Sequence, residues 1–346
     1  MTHFSRLLLT SAAVLGLTLS GCKAKTESSS PALANDISKE EMVAIESSSP
    51  ALANDISKEE MVAMMKDAMT DAKATSGTGS PAMWTFSDDD TTVYLFGTVH
   101  LLRPDVTWRS PALDAALQEA DTLVLEADVA SPESLAKIQK LALEYGAFPE
   151  GESLSATLDD EDEAVVSAAL KASGIPLQAV DTVKPWMIGL QLGMMQIMQA
   201  GYDPQSGVET VLLADAGDKK LAYLETAETQ IKAIGGAPIE DQVQGLLATL
   251  GTLELGPDYL NALVAEWADG DVKGIGSLMS NPTMFGTQES YDTLLTTRNE
   301  NWVPGIKALL DEPGTKLVAV GAAHLAGPDS VIKMLKDDGI KVQAVN

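Results

Sequence analysis

Short apolar runs rich in β-branched and aromatic residues alternate with helix-start signatures from residue 83 onward, and this alternation narrows the fold more than any other feature. Thr92-Val93-Tyr94-Leu95-Phe96 reads as a strand ending at Gly97. Ser110-Pro111 then opens a helix, with Ser as N-cap and Pro in the first turn. Thr122-Leu123-Val124-Leu125-Glu126 is a second strand, and Ser131-Pro132-Glu133 opens another helix by the same logic. Leu221 to Glu225 reads as a third strand with Thr226 as the next N-cap, and Lys316 to Gly321 as a fourth. Gly327-Pro328 is expected to start a helix, and Lys341 to Val345 closes the chain as a fifth strand. Residues 238–311 read as helix almost throughout. The expectation is an α/β fold: a central mixed β-sheet flanked by helices, with a large helical insertion in the middle.

Several smaller segments are assigned on the same grounds. Asp159 to Ala172 is helical, and its acidic start suits the helix dipole. Lys184 to Ala200 is apolar on more than one side and reads as a helix buried between others, so its Met187–Met198 stretch is core packing rather than a copper site. Asp88-Asp89-Asp90 reads as a hairpin turn, not a calcium loop.

Charge and cysteine content remove whole classes of function. The chain carries 23 Lys+Arg against 50 Asp+Glu, a net charge of −27. Such a field repels phosphate backbones, so no nucleic-acid partner is expected, and no basic patch awaits anionic lipid. A single Cys, Cys22, rules out an intrachain disulfide, a Cys-based zinc site and an iron–sulfur cluster.

That cysteine belongs to a targeting signal. Residues 1–21 read as a signal peptide, with Arg6 ending the n-region and Leu7 to Leu19 forming the apolar h-region. Leu19-Ser20-Gly21-Cys22 resembles a bacterial lipobox, which implies cleavage before Cys22 and lipidation of it. Several acyl chains on one residue anchor stably. Lys23, standing where an Asp would signal inner-membrane retention, favours the outer membrane by analogy with sorting in enteric bacteria. The expected location is the bacterial cell envelope, lipid-anchored and facing the periplasm. Residues 22–82 form the tether: ESSSPALANDISKEEMVA at 27–44 is repeated at 46–63. Two copies are too few for a solenoid, and the expectation is a spacer between lipid and the domain at 83–346.

Three histidines decide the chemistry. His3 falls in the signal peptide, and the other two end one local pattern: Gly97-Thr98-Val99-His100 and Gly321-Ala322-Ala323-His324, each after an apolar strand and each followed by Leu. Ligands in open α/β sheets gather beyond the carboxyl ends of strands, so both imidazoles are expected to face one crevice if the two strands pair or neighbour. Glu126 and Glu225 each end an apolar run, where a carboxylate is costly without a partner. Two His with one or two carboxylates form a typical set for a divalent ion such as Zn, Mn or Co. The ion would activate water, with the spare Glu as general base. Arg298 is a candidate to hold a carboxylate or stabilise an oxyanion. Glu209 and Gln230 are weaker candidates.

At these residues the sequence resembles the TraB/GumN family, related to the Tiki proteins. The likeness runs over roughly residues 83–346, on Tyr94-Leu95-Phe96-Gly97-Thr98-Val99-His100, Leu125-Glu126, Gly201-Tyr202-Asp203 through Leu224-Glu225-Thr226 to Gln230, Arg298-Asn299 with Trp302, and Val320-Gly321-Ala322-Ala323-His324-Leu325 with Gly327-Pro328. The resemblance implies an α/β fold with both Gly-x-x-His motifs at one site. Tiki members are described as membrane-tethered metalloproteases, and the wider superfamily includes erythromycin-esterase-like hydrolases. It therefore implies a hydrolase and leaves the bond open.

Three readings compete. In the first, His100, His324 and one of Glu126 or Glu225 hold a divalent metal and the other Glu is the base, giving a peptidase-like hydrolase. In the second, a metal-free esterase-type hydrolase uses one His as base on water, oriented by Glu126 or Glu225. In the third, a non-enzymatic lipoprotein binds a peptide or glycan in the same cleft. The partner is a peptide or small-molecule substrate in the first two.

Overall fold

The structure is a computed structural model that describes residues 79–280 and 282–345, with Ala63 and Lys66 besides. The signal peptide, Cys22 and almost all of the tandem tether lie outside the described residues. In chain order the elements are β1 (Met83–Ser87), β2 (Thr91–Thr98), α1 (Pro111–Glu119), β3 (Thr122–Leu125), α2 (Pro132–Gly146), α3 (Asp160–Ala172), α4 (Pro185–Gln199), α5 (Val208–Asp215) and β4 (Lys220–Tyr223). There follow α6 (Ala227–Gly235), α7 (Ile239–Leu255), α8 (Pro257–Asp269), α9 (Val272–Met279), α10 (Gln288–Tyr291), α11 (Thr297–Lys307), β5 (Gly314–Gly321), α12 (Val331–Asp337) and β6 (Gln343–Val345).

The strands form one six-stranded mixed sheet in the order β4-β3-β5-β2-β1-β6. Neighbours among β4, β3, β5 and β2 run parallel, while β1 lies antiparallel to both β2 and β6. β1 was not anticipated from the sequence, but the turn after it was. Asp88 Oδ1 accepts from Asp90 N at 3.2 Å and Thr91 N at 2.9 Å, closing the β1–β2 hairpin. The helix expected at Gly327-Pro328 starts later, at Val331. The side chain of Ser330 caps it, accepting from Lys333 N, and Gly327 turns with φ +84° ahead of it.

Other caps form as the sequence dictates. Ser110, Ser131, Asp159 and Thr226 each accept backbone N–H groups at the first turns of α1, α2, α3 and α6. The central strand β5 is inaccessible from Leu317 to Val320, as a parallel strand covered on both faces must be. Leu317 and Ala319 face a core with Phe96, Leu123, Trp108 and Trp267. Val318 and Val320 face another with Val93, Leu95, Trp302 and Leu335.

The helical insertion falls in two pieces, α2–α5 between β3 and β4 and α6–α11 between β4 and β5, and it builds a core of its own from α3, α4 and α7. α4 is buried at Trp186, Met187, Ile188 and Leu192, whereas Leu190 and Met198 are exposed. Its burial is therefore confined mainly to the first half. Among the described residues, no helix is long and apolar enough to cross a membrane.

Candidate functional site

Four neighbouring parallel strands deliver their next residues to one place. Glu126 follows β3, Glu225 lies two residues after β4, His100 lies two residues after β2, and His324 sits in a single 3₁₀ turn directly after β5. β2 and β5 are adjacent, with Gly97 opposite Val320 and Thr98 opposite Gly321. The two Gly-x-x-His motifs pack against each other. A Cβ on Gly97 would come within 3.1 Å of the Ala322 Cα, so a side chain there would wedge the motifs apart.

Arg298 is the hub of the buried part. A π-helical turn at Asp292–Thr296 joins α10 to α11, with Thr297 N–H bonding back to Asp292 O. The Leu294 carbonyl in that turn accepts Arg298 Nη1 at 3.0 Å, and Nη1 also lies 3.0 Å from His324 Nε2. Nη2 donates to Glu126 Oε2 and Glu225 Oε1, both at 2.7 Å. Nε donates to Glu225 Oε1 at 3.1 Å and Oε2 at 3.3 Å. A guanidinium has five N–H groups, and these contacts use all of them. Arg298 thus has no N–H left for a substrate carboxylate or oxyanion in this arrangement. Trp302, one turn on along α11, lies under the group with its ring centroid 4.7 Å from the guanidinium carbon. Its Nε1 donates to Glu225 Oε2 at 3.3 Å.

The surrounding bonds fix the tautomer of His324. Asn299 Nδ2 donates to Asp329 O at 2.7 Å, which turns Oδ1 toward His324 Nδ1 at 2.6 Å. Arg298 only donates, so His324 Nε2 carries the lone pair and Nδ1 the proton. Burial, together with the positive charges of Arg298 and His100, holds this imidazole down at about 3 against the pull of Glu126, so it is neutral near pH 7. Glu126 accepts Gly321 N–H at 2.7 Å on Oε1 and Gln230 Nε2 at 2.8 Å on Oε2. Burial alone would raise its pKa, but the neighbouring positive charge and the Gly321 N–H outweigh this and hold the carboxyl below its usual range. Because His324 is neutral, the permanent charge of Arg298 is the main source of that field.

His100 stands apart at the rim. Its side chain is 66% exposed, with Nδ1 2.7 Å from Glu209 Oε1. The Thr98 hydroxyl donates to the same oxygen. The Glu209 carboxylate is what lifts His100, to about 9; what desolvation the ring feels opposes this, and Glu126 adds to it. Burial raises Glu209, but the charge and hydrogen bond of His100 and the Thr98 hydroxyl outweigh it and keep the carboxyl below its usual range.

Glu209 reaches His100 because α5 starts against the His100 loop. Val208 N donates to Val99 O at 3.1 Å, Asp203 N donates to Leu102 O at 2.9 Å, and a Cβ on Gly207 would fall 2.1 Å from the His100 carbonyl oxygen. Sequence reasoning ranked Glu209 and Gln230 low, yet both contact the core residues of the site. It assigned no role to Asn299, whose place next to Arg298 on a helix was the available signal.

The proposed metal donors are engaged otherwise. His324 Nε2, Glu126 Oε2 and Glu225 Oε1 all point at one guanidinium, and His100 Nδ1 is bound to Glu209. Among the described residues, no group of three or more His, Cys, Asp or Glu is arranged to hold a metal ion. These residues, as placed, do not fit a divalent ion.

The family model of the TraB/PrgY/gumN family matches residues 82–344. The chain belongs to this family. Similar relatives of the TraB/PrgY/gumN chain include the uncharacterized protein YbaP of Escherichia coli strain K12, 27% identical over 246 residues that cover 70% of this chain and 87% of the relative. An uncharacterized protein of Treponema pallidum is 19% identical over 264 residues, covering 73% of this chain and 79% of its own length. No solved structure matches.

Proposed function

We propose that the protein is a hydrolase of the bacterial cell envelope, tethered through a lipid on Cys22, in which His100 rather than a bound ion activates water against a peptide or small-molecule substrate. The observation that carries this reading is the His100–Glu209 pair, 2.7 Å apart at the open rim of the buried Glu126–Arg298–His324 cluster. A carboxylate on Nδ1 fixes the ring and leaves Nε2 to take a proton, the arrangement an imidazole base requires. In its neutral form His100 removes a proton from water as the oxygen attacks an acyl carbon. The resulting imidazolium returns that proton to the leaving amine or alkoxide. The negative charge of Glu126, which His100 feels, favours the imidazolium formed in that step.

The test is hydrolysis of a panel of peptides and esters by the purified chain, with and without a chelator, beside His100→Ala. The reading expects turnover that survives chelation and falls about 10²–10⁴-fold in the variant. Turnover lost to chelator and restored by a divalent ion would overturn the ion-free route. No turnover together with measurable ligand binding would overturn the enzyme. For the tether, Cys22→Ser is expected to release the protein from the membrane fraction.

A further inference from the structure

The cation that a two-His, two-Glu site would recruit from solution is already supplied by the chain. The side chains of Arg298, Glu126 and Glu225 are 12%, 10% and 6% exposed, so their pairing is a buried one. The guanidinium touches both carboxylates and the His324 lone pair at once, and it is held from behind by Leu294 O and by the face of Trp302. We propose that Arg298 takes the seat a divalent ion would occupy, so that the intact protein keeps metal out of this cluster and becomes a metal binder only when that side chain is removed.

Charge arithmetic supports the exchange. Glu126, Glu225 and Arg298 together carry one net negative charge, and a divalent ion added among them would meet a fixed cation at contact distance. Without Arg298 the same pocket holds two carboxyl groups and the ring nitrogen of His324 facing one another with no cation between them. That is a carboxylate–carboxylate–imidazole set of the kind Zn or Co accepts. The fork geometry explains the natural choice: a planar guanidinium satisfies two carboxylates and a ring nitrogen at 2.7–3.1 Å, whereas a metal needs its donors near 2 Å from one point.

This inference deepens the ion-free reading of the site but is tested without turnover. The purified chain and its Arg298→Ala variant are dialysed against Co²⁺, and bound ion, visible absorption and thermal midpoint are measured. The expected result is no stoichiometric ion in the wild type, and about one per chain in Arg298→Ala. The variant's midpoint should rise with Co²⁺ concentration, and the ion should be lost again in Arg298→Ala/Glu225→Gln. If Arg298→Ala folds only when Co²⁺ is present during refolding, that also supports the exchange. Tight uptake of an ion by the wild type would overturn it, and so would an Arg298→Ala variant that folds and takes up none. Failure to hydrolyse any substrate would count against the proposed enzyme and leave this result intact.

Discussion

Asn299 Oδ1 lies 2.6 Å from His324 Nδ1, and together with the Arg298 donor on Nε2 this contact sets the tautomer of the buried imidazole. Asn299 is fully buried and its amide is oriented by Asp329 O. Asn299→Ala leaves the His324 N–H and the Asp329 carbonyl without their partner. The expected loss is about 1–3 kcal/mol of stability in urea unfolding. The tautomer should persist, because Arg298 Nη1 still donates to Nε2, so the loss falls on stability and on the orientation of the ring. A variant as stable and active as the wild type would show that the contact fixes nothing.

Acid should destabilise the fold through His324. In the unfolded chain this imidazole protonates near its ordinary 6.5, and in the fold only at about 3. Between those values the unfolded state binds the extra proton, so stability falls as pH is lowered through the window, by about 1.4 kcal/mol per unit for this group. Glu126 acts lower: its carboxyl is held below its ordinary 4.5, so its contribution is present above 4.5 and is lost as pH falls further. Thermal midpoints measured against pH should therefore start to drop below about 6.5, the onset moving to lower pH in His324→Gln. An unchanged onset in that variant would assign the acid lability elsewhere.

The rate should follow the opposite limb. A base whose proton is held by Glu209 works only after losing it, so kcat/KM is expected to climb with pH and level off above about 9. Glu209→Gln removes the charge that lifts His100. Its inflection should move down toward 6.5, with a lower plateau because the ring is less firmly oriented. A profile flat across the neutral and alkaline range, or an inflection that Glu209→Gln leaves in place, speaks against His100 as the base.

Removing Arg298 is the most damaging change expected at the site. Arg298→Ala leaves Glu126 and Glu225 buried and facing each other without a cation, a situation that costs about 3–5 kcal/mol. Arg298→Lys keeps the charge but not the fork, and cannot satisfy both carboxylates, Leu294 O and His324 together. Urea midpoints in the order wild type, Lys, Ala are the expected outcome. Equal midpoints for Lys and Ala would mean that planar geometry, not charge, carries the stability.

The sheet was legible where burial leaves no choice. β2, β3 and β5 are apolar runs covered on both faces, and their residues read as strands without help from context. The packing of the two Gly-x-x-His turns against each other followed from two equal motifs at two strand ends. β1 was not legible because Met83–Ser87 mixes apolar and polar residues and sits between a Pro-containing segment and an acidic turn. Its place comes from pairing with β2 and β6, and the local pattern does not say which strands pair. Glu209 was undervalued for a similar reason. Its partner is more than a hundred residues away, and only the seating of α5 against the His100 loop joins them. The role of Arg298 was open to misreading, because a sequence names donors without saying which of them are already spent.

That seating offers a test of its own at Gly207. Its φ is −59°, which any residue adopts, so the need for glycine is purely one of space. A Cβ there would stand 2.1 Å from the His100 carbonyl oxygen, a backbone atom that cannot rotate away. Gly207→Ala must push α5 off the loop, lengthening the Glu209–His100 contact, at a cost of about 1–3 kcal/mol. Gly305, in α11, has nothing within 4 Å of its added Cβ, and Gly305→Ala serves as the control, expected to gain about 0.5–1 kcal/mol from helix propensity with activity unchanged. Denaturation midpoints and the alkaline inflection of kcat/KM should both fall in Gly207→Ala and hold in Gly305→Ala. If Gly207→Ala loses stability but keeps the wild-type inflection, then α5 supports the fold without setting the proton affinity of His100.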